Sequence, residues 1–127
     1  LPNLVFVGTV SSGEGNGKKF VEMPWVKQQI EEKLGFSPYL GTLNLRLTRK
    51  SAKRSLLETA GGEVIQPQAG YYPGVLFKAT IDTLECAIVI PIMPNYPNDI
   101  LEIIAPVYLR KHLKLADGNV VTVSVNV

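Results

Sequence analysis

One cysteine, one histidine, one tryptophan and two methionines leave this 127-residue chain short of the residues that several kinds of chemistry depend on. Cys86 cannot close a disulfide within the chain. Its place in the run Cys86-Ala87-Ile88-Val89-Ile90 reads as a small buried hydrophobe, in keeping with a reducing, cytoplasmic setting. His112 has no serine or cysteine nucleophile pattern around it, so a satisfied histidine is the preferred reading over a catalytic base. No apolar run approaches the ~20 residues needed to cross a bilayer. The first residues also lack a basic stretch followed by an apolar one, so a soluble protein with no membrane partner is expected. An excess of one charge is missing too: 13 basic residues against 11 acidic ones give +2, too weak a field to argue for nucleic-acid binding. The chain begins at Leu1 rather than Met, which leaves room for an upstream tag or DNA-binding domain.

What is present is a single domain's worth of residues, expected as one unit over 1–127 and as a monomer. Short β-type runs dominate: Leu4 to Val10, Phe20 to Met23, Leu40 to Leu47, Val75 to Ile81, Cys86 to Ile92, Ile100 to Ile104 and Val120 to Val127. Two segments are predicted helical. In Pro24 to Leu34, Val26, Ile30 and Leu34 recur every four positions between an opening proline and a closing Gly35; Pro106 to Leu115 is shorter and ends at Asp117-Gly118. Helices do not alternate with strands as in a doubly wound sheet, so the expected architecture is a closed or nearly closed β-barrel with one or two covering helices. Lys50 to Pro73 is the loosest stretch and the candidate for a closing flap.

Three features carry chemistry. From Leu43 to Leu47 apolar and polar residues alternate, so Thr42, Asn44 and Arg46 share one strand face. Solvation explains Thr and Arg there, but Asn is depleted in strands and points to a use for its oxygen. Ser11 to Lys19 places Gly13, Gly15 and Gly17 at alternate positions, so main-chain N–H groups can face an anion, with Lys18 and Lys19 at the exit. That loop matches neither a Walker loop nor a dinucleotide fingerprint, and the same composition makes ordinary hairpin loops. Glu102 lies in an apolar stretch, where its carboxylate must reach solvent or accept hydrogen bonds from a ligand. The basic stretch Arg46 to Arg54 reads as a solvated face or as a phosphate attractor, and Tyr71 and Tyr72 as packing residues or as cover for an aromatic ligand.

Together these segments resemble the archaeal-type CTP-dependent riboflavin kinases. The pattern runs through Ser12-Gly13, Gly15, Gly17, Phe20, Leu34-Gly35-Phe36, Pro38-Tyr39 and Gly41-Thr42-Leu43-Asn44. It continues with Ile90-Pro91, Tyr96-Pro97, Glu102-Ile103-Ile104-Ala105-Pro106, Leu109-Arg110 and Leu115-Ala116-Asp117-Gly118. Order and spacing over nearly the whole length carry the match. It implies a mainly β fold, a six-stranded cradle-loop barrel with one or two short helices, and transfer of the γ-phosphate of CTP to the 5′-hydroxyl of riboflavin, giving FMN and CDP.

Position by position, the resemblance implies Mg²⁺ on Thr42 and Asn44, with phosphate oxygens and waters completing the shell. It implies nucleotide contacts from Gly13, Glu14, Gly15, Asn16, Gly17 and Lys18, and from Val107, Tyr108, Leu109, Arg110, Lys111 and His112. Flavin contacts fall on Glu102 and Asn95, with Glu102 the candidate to orient or deprotonate the attacking hydroxyl. The chain departs from the family with Asn16 in place of Glu, Leu40 in place of Pro, and no Thr ahead of Tyr96-Pro97, where Pro94 and Asn95 stand. A non-catalytic barrel that senses a nucleotide or flavin is the alternative, since fold does not decide function.

Overall fold

Strands that alternate in burial and strands that are apolar throughout do different jobs in this chain. The computed structural model describes residues 3–13, 17–49, 51–59 and 61–126. These form, in order, β1 (Asn3–Ser11), α1 (Gly17–Glu22), α2 (Pro24–Leu34), β2 (Leu43–Leu47), α3 (Ser51–Leu57), β3 (Glu63–Ile65), β4 (Gly74–Ile81), β5 (Leu84–Pro91), β6 (Ile100–Ile104), α4 (Leu109–His112) and β7 (Val120–Asn126). All pairings are antiparallel. The order β4-β5-β6-β2-β1-β7 closes through a β4–β7 pairing, and the short β3 adds to the free half of β4. The fold is the expected six-stranded barrel, with a few short helices on its outside.

Two apolar layers hold it. Inside the barrel, Phe6, Leu45, Phe77, Ile88, Leu101 and Val123 interdigitate with their neighbours, and Cys86 is buried among them as expected. Outside, Phe20, Val21, Val26 and Ile30 from the helices cover Leu76, Ala87, Val89 and Ile104 from β4, β5 and β6. A strand covered on both faces needs apolar residues at every position, which is why β5 and β6 read as unbroken runs. α2 begins at Pro24, whose missing N–H falls where a helix leaves donors unpaired, and stops at Gly35, whose φ of +77° few other residues adopt.

The structure corrects three expectations. Phe20 to Met23 is not a strand: Phe20 and Val21 belong to α1, whose buried side faces β5. The second predicted helix shrinks to Leu109–His112. The stretch from residue 51 to Pro73 holds α3 and β3, with Leu56 and Ile65 fully buried. Tyr71 packs against Trp25, which in turn meets Phe20 edge-on. Among the described residues no helix is long and apolar enough to cross a membrane.

Candidate functional site

Register builds the site. Asn44 on β2 lies opposite Ser11 on β1 and Glu102 on β6, so the three form one row across the outer face of the barrel. α1 starts directly above this row. Glu102 is only 1% exposed, and a carboxylate so placed survives only if its oxygens are hydrogen-bonded. The Gly17 N–H donates to Oε2 over 2.7 Å and the Thr42 hydroxyl to Oε1 over 2.5 Å, while the Tyr96 hydroxyl also donates to Oε2. The sequence left solvent or a ligand as the partner of Glu102; the partners are donors of the protein itself. Gly17 is required for the approach, because a Cβ there would lie 2.5 Å from the carboxylate carbon and both oxygens. Burial first, then the charge and hydrogen bonding of Glu102, push the Tyr96 hydroxyl far above the usual phenol range, so it stays a donor.

Beside the carboxylate lies a polar cavity of about 620 Å³, lined by Ser11, Gly13, Lys18, Thr42, Asn44 and Arg110 among others. The hydroxyl of Ser11 is buried here without a hydrogen-bond partner. Asn44 is 8% exposed. Arg110 is held at its edge by Asp117 Oδ1 over 2.7 Å and by the Ser11 carbonyl and the Ser12 hydroxyl over 3.1 Å each. The hydrogen bonds from Arg110 and then Ser12 hold the Asp117 carboxyl below its ordinary range. A smaller cavity of about 230 Å³ shares Lys18, Thr42, Tyr108 and Arg110 with the first, and adds Tyr39, Val107 and Leu109. Tyr39 and Tyr108 stack at its rim, with centroids 4.9 Å apart and planes 16° from parallel.

On the other side of Tyr96 a cleft of about 540 Å³ runs between α3 and the end of β5, with Leu57, Ile90, Ile92 and Met93 as its apolar wall and Ser51, Lys53, Arg54 and Asn98 as its polar side. Polar cavity, buried carboxylate and apolar cleft are thus consecutive.

The expected residues divide clearly. Gly13, Lys18, Thr42, Asn44, Val107, Tyr108, Leu109 and Arg110 line the two connected cavities, and Gly17 and Glu102 meet beside them. Lys111 and His112 are exposed on α4 and line neither. Asn95 is exposed in a turn with φ of +62°, and its neighbour Tyr96 reaches the site instead. Glu14, Gly15 and Asn16 lie outside the described residues. Arg46 pairs with Asp99 over 2.6 Å, away from both cavities. Sequence reasoning missed Tyr96 as a site residue, although Tyr96-Pro97 stood in the motif set.

Among the described residues no group of three or more His, Cys, Asp or Glu side chains could hold a metal. A divalent cation would therefore rest on neutral oxygens. Thr42 is suited to this, because its hydrogen is directed at Glu102 and its lone pairs are left for another partner. The partnerless Ser11 oxygen beside Asn44 adds to a donor set that fits a hard cation arriving with phosphate.

The family model CTP-dep_RFKase, described as "Domain of unknown function DUF120", matches residues 10–125. The chain is 40% identical to a riboflavin kinase of Methanosarcina barkeri over 91% of its own length and 54% of the relative's. It is 42% identical to one of Archaeoglobus fulgidus over 93% of this chain and 53% of the other. A third, of Pyrobaculum aerophilum, is 39% identical over 98% and 62%. The chain thus spans between half and two thirds of the length of these curated relatives.

Proposed function

The chain belongs to the CTP-dep_RFKase family, and from that premise we propose that it is a riboflavin kinase that uses CTP. The observation that carries the reading is the buried Glu102 carboxylate, standing between a cavity lined by Lys18, Lys19 and Arg110 and a cleft with an apolar wall. A carboxylate offers about four acceptor positions. Three are taken by Gly17, Thr42 and Tyr96, which leaves one for a hydroxyl of the acceptor.

Phosphoryl transfer asks the protein for alignment and for neutralisation of charge. The apolar cleft suits the flat ring system of riboflavin, whose ribityl chain then extends past Tyr96 to Glu102. The pair of cavities suits CTP, with the base in the smaller one near Tyr39 and Tyr108 and the phosphates near Lys18 and Arg110. Thr42 and Asn44 would hold Mg²⁺, which when bound offsets phosphate charge; both are neutral, so cation and nucleotide are expected to bind together. The acceptor oxygen attacks the γ-phosphorus, the bond to the β–γ bridging oxygen breaks, and CDP leaves. Glu102 orients the attacking hydroxyl and takes its proton.

The test is direct. With riboflavin, Mg²⁺ and CTP the protein is expected to form FMN, with ATP a poorer donor, and Thr42→Ala combined with Asn44→Ala is expected to abolish product, with thermal unfolding checking that loss of the Thr42 donor to Glu102 has not unfolded the chain. Riboflavin binding without product from either nucleotide would favour a sensor instead.

A further inference from the structure

Helix α3 carries a side chain that its surroundings do not predict. Lys53 is 6% exposed, whereas Arg54 and Ser55 beside it face solvent. Its Nζ donates to the carbonyl oxygens of Pro97 over 2.5 Å and Ile100 over 2.8 Å, and lies 4.6 Å from the centre of the Tyr96 ring. That distance is within the range of a cation–π contact. Burial pulls the ammonium down to about 8, against the opposing charges of Asp99 and Glu102. Anchoring a helix does not require such a group, since Leu56 on the same helix does so at no cost in desolvation.

What the ammonium joins is informative. Pro97 and Ile100 bound the segment that leads from Tyr96 into β6, and the left-handed turn at Asn95 precedes it. Lys53 therefore grips both the backbone just after Tyr96 and the face of its ring, while the hydroxyl of the same tyrosine donates to Glu102. The geometry points to Lys53 as a positioning residue for the transfer step: acting through Tyr96, it fixes the Glu102 carboxylate toward the acceptor hydroxyl and ties α3 to that carboxylate. This rests on the kinase reading above. Lys53 also lines the cleft assigned to the flavin ring, but its ammonium is engaged by the two carbonyls and does not meet the reacting atoms. An ångström of misplacement at the attacking group is enough to lower a rate about a hundredfold, so a residue one step removed can govern turnover.

The experiment is a double-mutant cycle on FMN formation with Lys53→Met, Tyr96→Phe and the combination, together with KM for each substrate and thermal unfolding. Lys53→Met is expected to lower kcat about tenfold or more and to raise KM for riboflavin, with KM for CTP within about twofold. Because both residues act along one path, the double variant should be no slower than the slower single variant. Lys53→Gln, which keeps an N–H donor for the two carbonyls, should recover part of the loss, and it replaces Lys53→Met in the cycle if that variant does not fold. Losses that multiply in the double variant, equal changes in both KM values, or parental kcat in Lys53→Met or Lys53→Gln would overturn the proposal. A parent protein that makes no FMN with CTP or ATP would overturn the kinase reading and this proposal together; parental turnover in the Lys53 variants overturns only the second.

Discussion

Replacing Gly17 by alanine tests the central contact with one methyl group. The added Cβ would stand 2.5 Å from the Glu102 carboxylate, where ordinary contacts begin at 3.4 Å, so carboxylate and helix must separate by about an ångström. The 2.7 Å hydrogen bond from the Gly17 N–H would be lost. A bond to a charged group contributes about 1.5–3 kcal/mol. Alanine's better helix propensity returns up to about 1 kcal/mol, so a net loss near 1–2 kcal/mol is expected. For a domain of this size that lowers Tm by about 4–10 °C. Activity should suffer more, by about a hundredfold, because on the proposed reading the displaced group is the one that faces the acceptor. Urea and thermal unfolding give the first quantity and FMN formation the second. The decisive comparison repeats Gly17→Ala in a Glu102→Ala background, where the methyl group has room and the stability loss should vanish. An equal loss in both backgrounds, or full activity in Gly17→Ala, would refute the reasoning.

Two further outcomes concern ionisation. Burial raises the Cys86 thiol from 9.0 to about 12, so in alkali the unfolded chain loses this proton before the folded one, and the thiol's contribution to stability, full below pH 9, is lost as pH rises toward 12. Cys86→Ala should therefore show a shallower alkaline decline than the parent, and native protein at pH 8 should resist iodoacetamide; labelling at free-thiol rates would contradict the burial. Asp117 is shifted the other way by Arg110 and Ser12. Its contribution is present above the ordinary carboxylate range and lost as pH falls through its depressed value, so the stability difference between the parent and Asp117→Asn should be constant near neutrality and shrink in acid, as followed by denaturant melts.

Much of this was legible in the sequence where the signal is local. Pro24 and Gly35 bracket α2 because each satisfies a backbone requirement at a helix end, and no distant residue can change it. Alternation placed Thr42 beside Asn44 for the same reason. Phe20 to Met23 failed because a run of four residues, three apolar and Glu22, is too short to carry a readable period, and the covering role of α1 depends on β5 beneath it. Glu102 could be singled out but not solved, since its three donors come from residues 17, 42 and 96. Lys53 was hidden altogether. In a basic stretch a lysine reads as solvated, and only the carbonyls of Pro97 and Ile100 make it an interior group.

The barrel's closure has one more consequence. Among the described residues β4 and β7 are joined by two register pairs, Ala79 with Val125 and Thr80 with Ser124, whereas β1 and β7 share seven. In the ring of strands this narrow clasp lies diametrically across from the β2–β6 pair that carries Asn44 and Glu102. The cylinder is a strip fastened at the back. Were this clasp to loosen, the change would begin at the point of the ring farthest from the row of side chains at the front, with two strand pairings between them on either side.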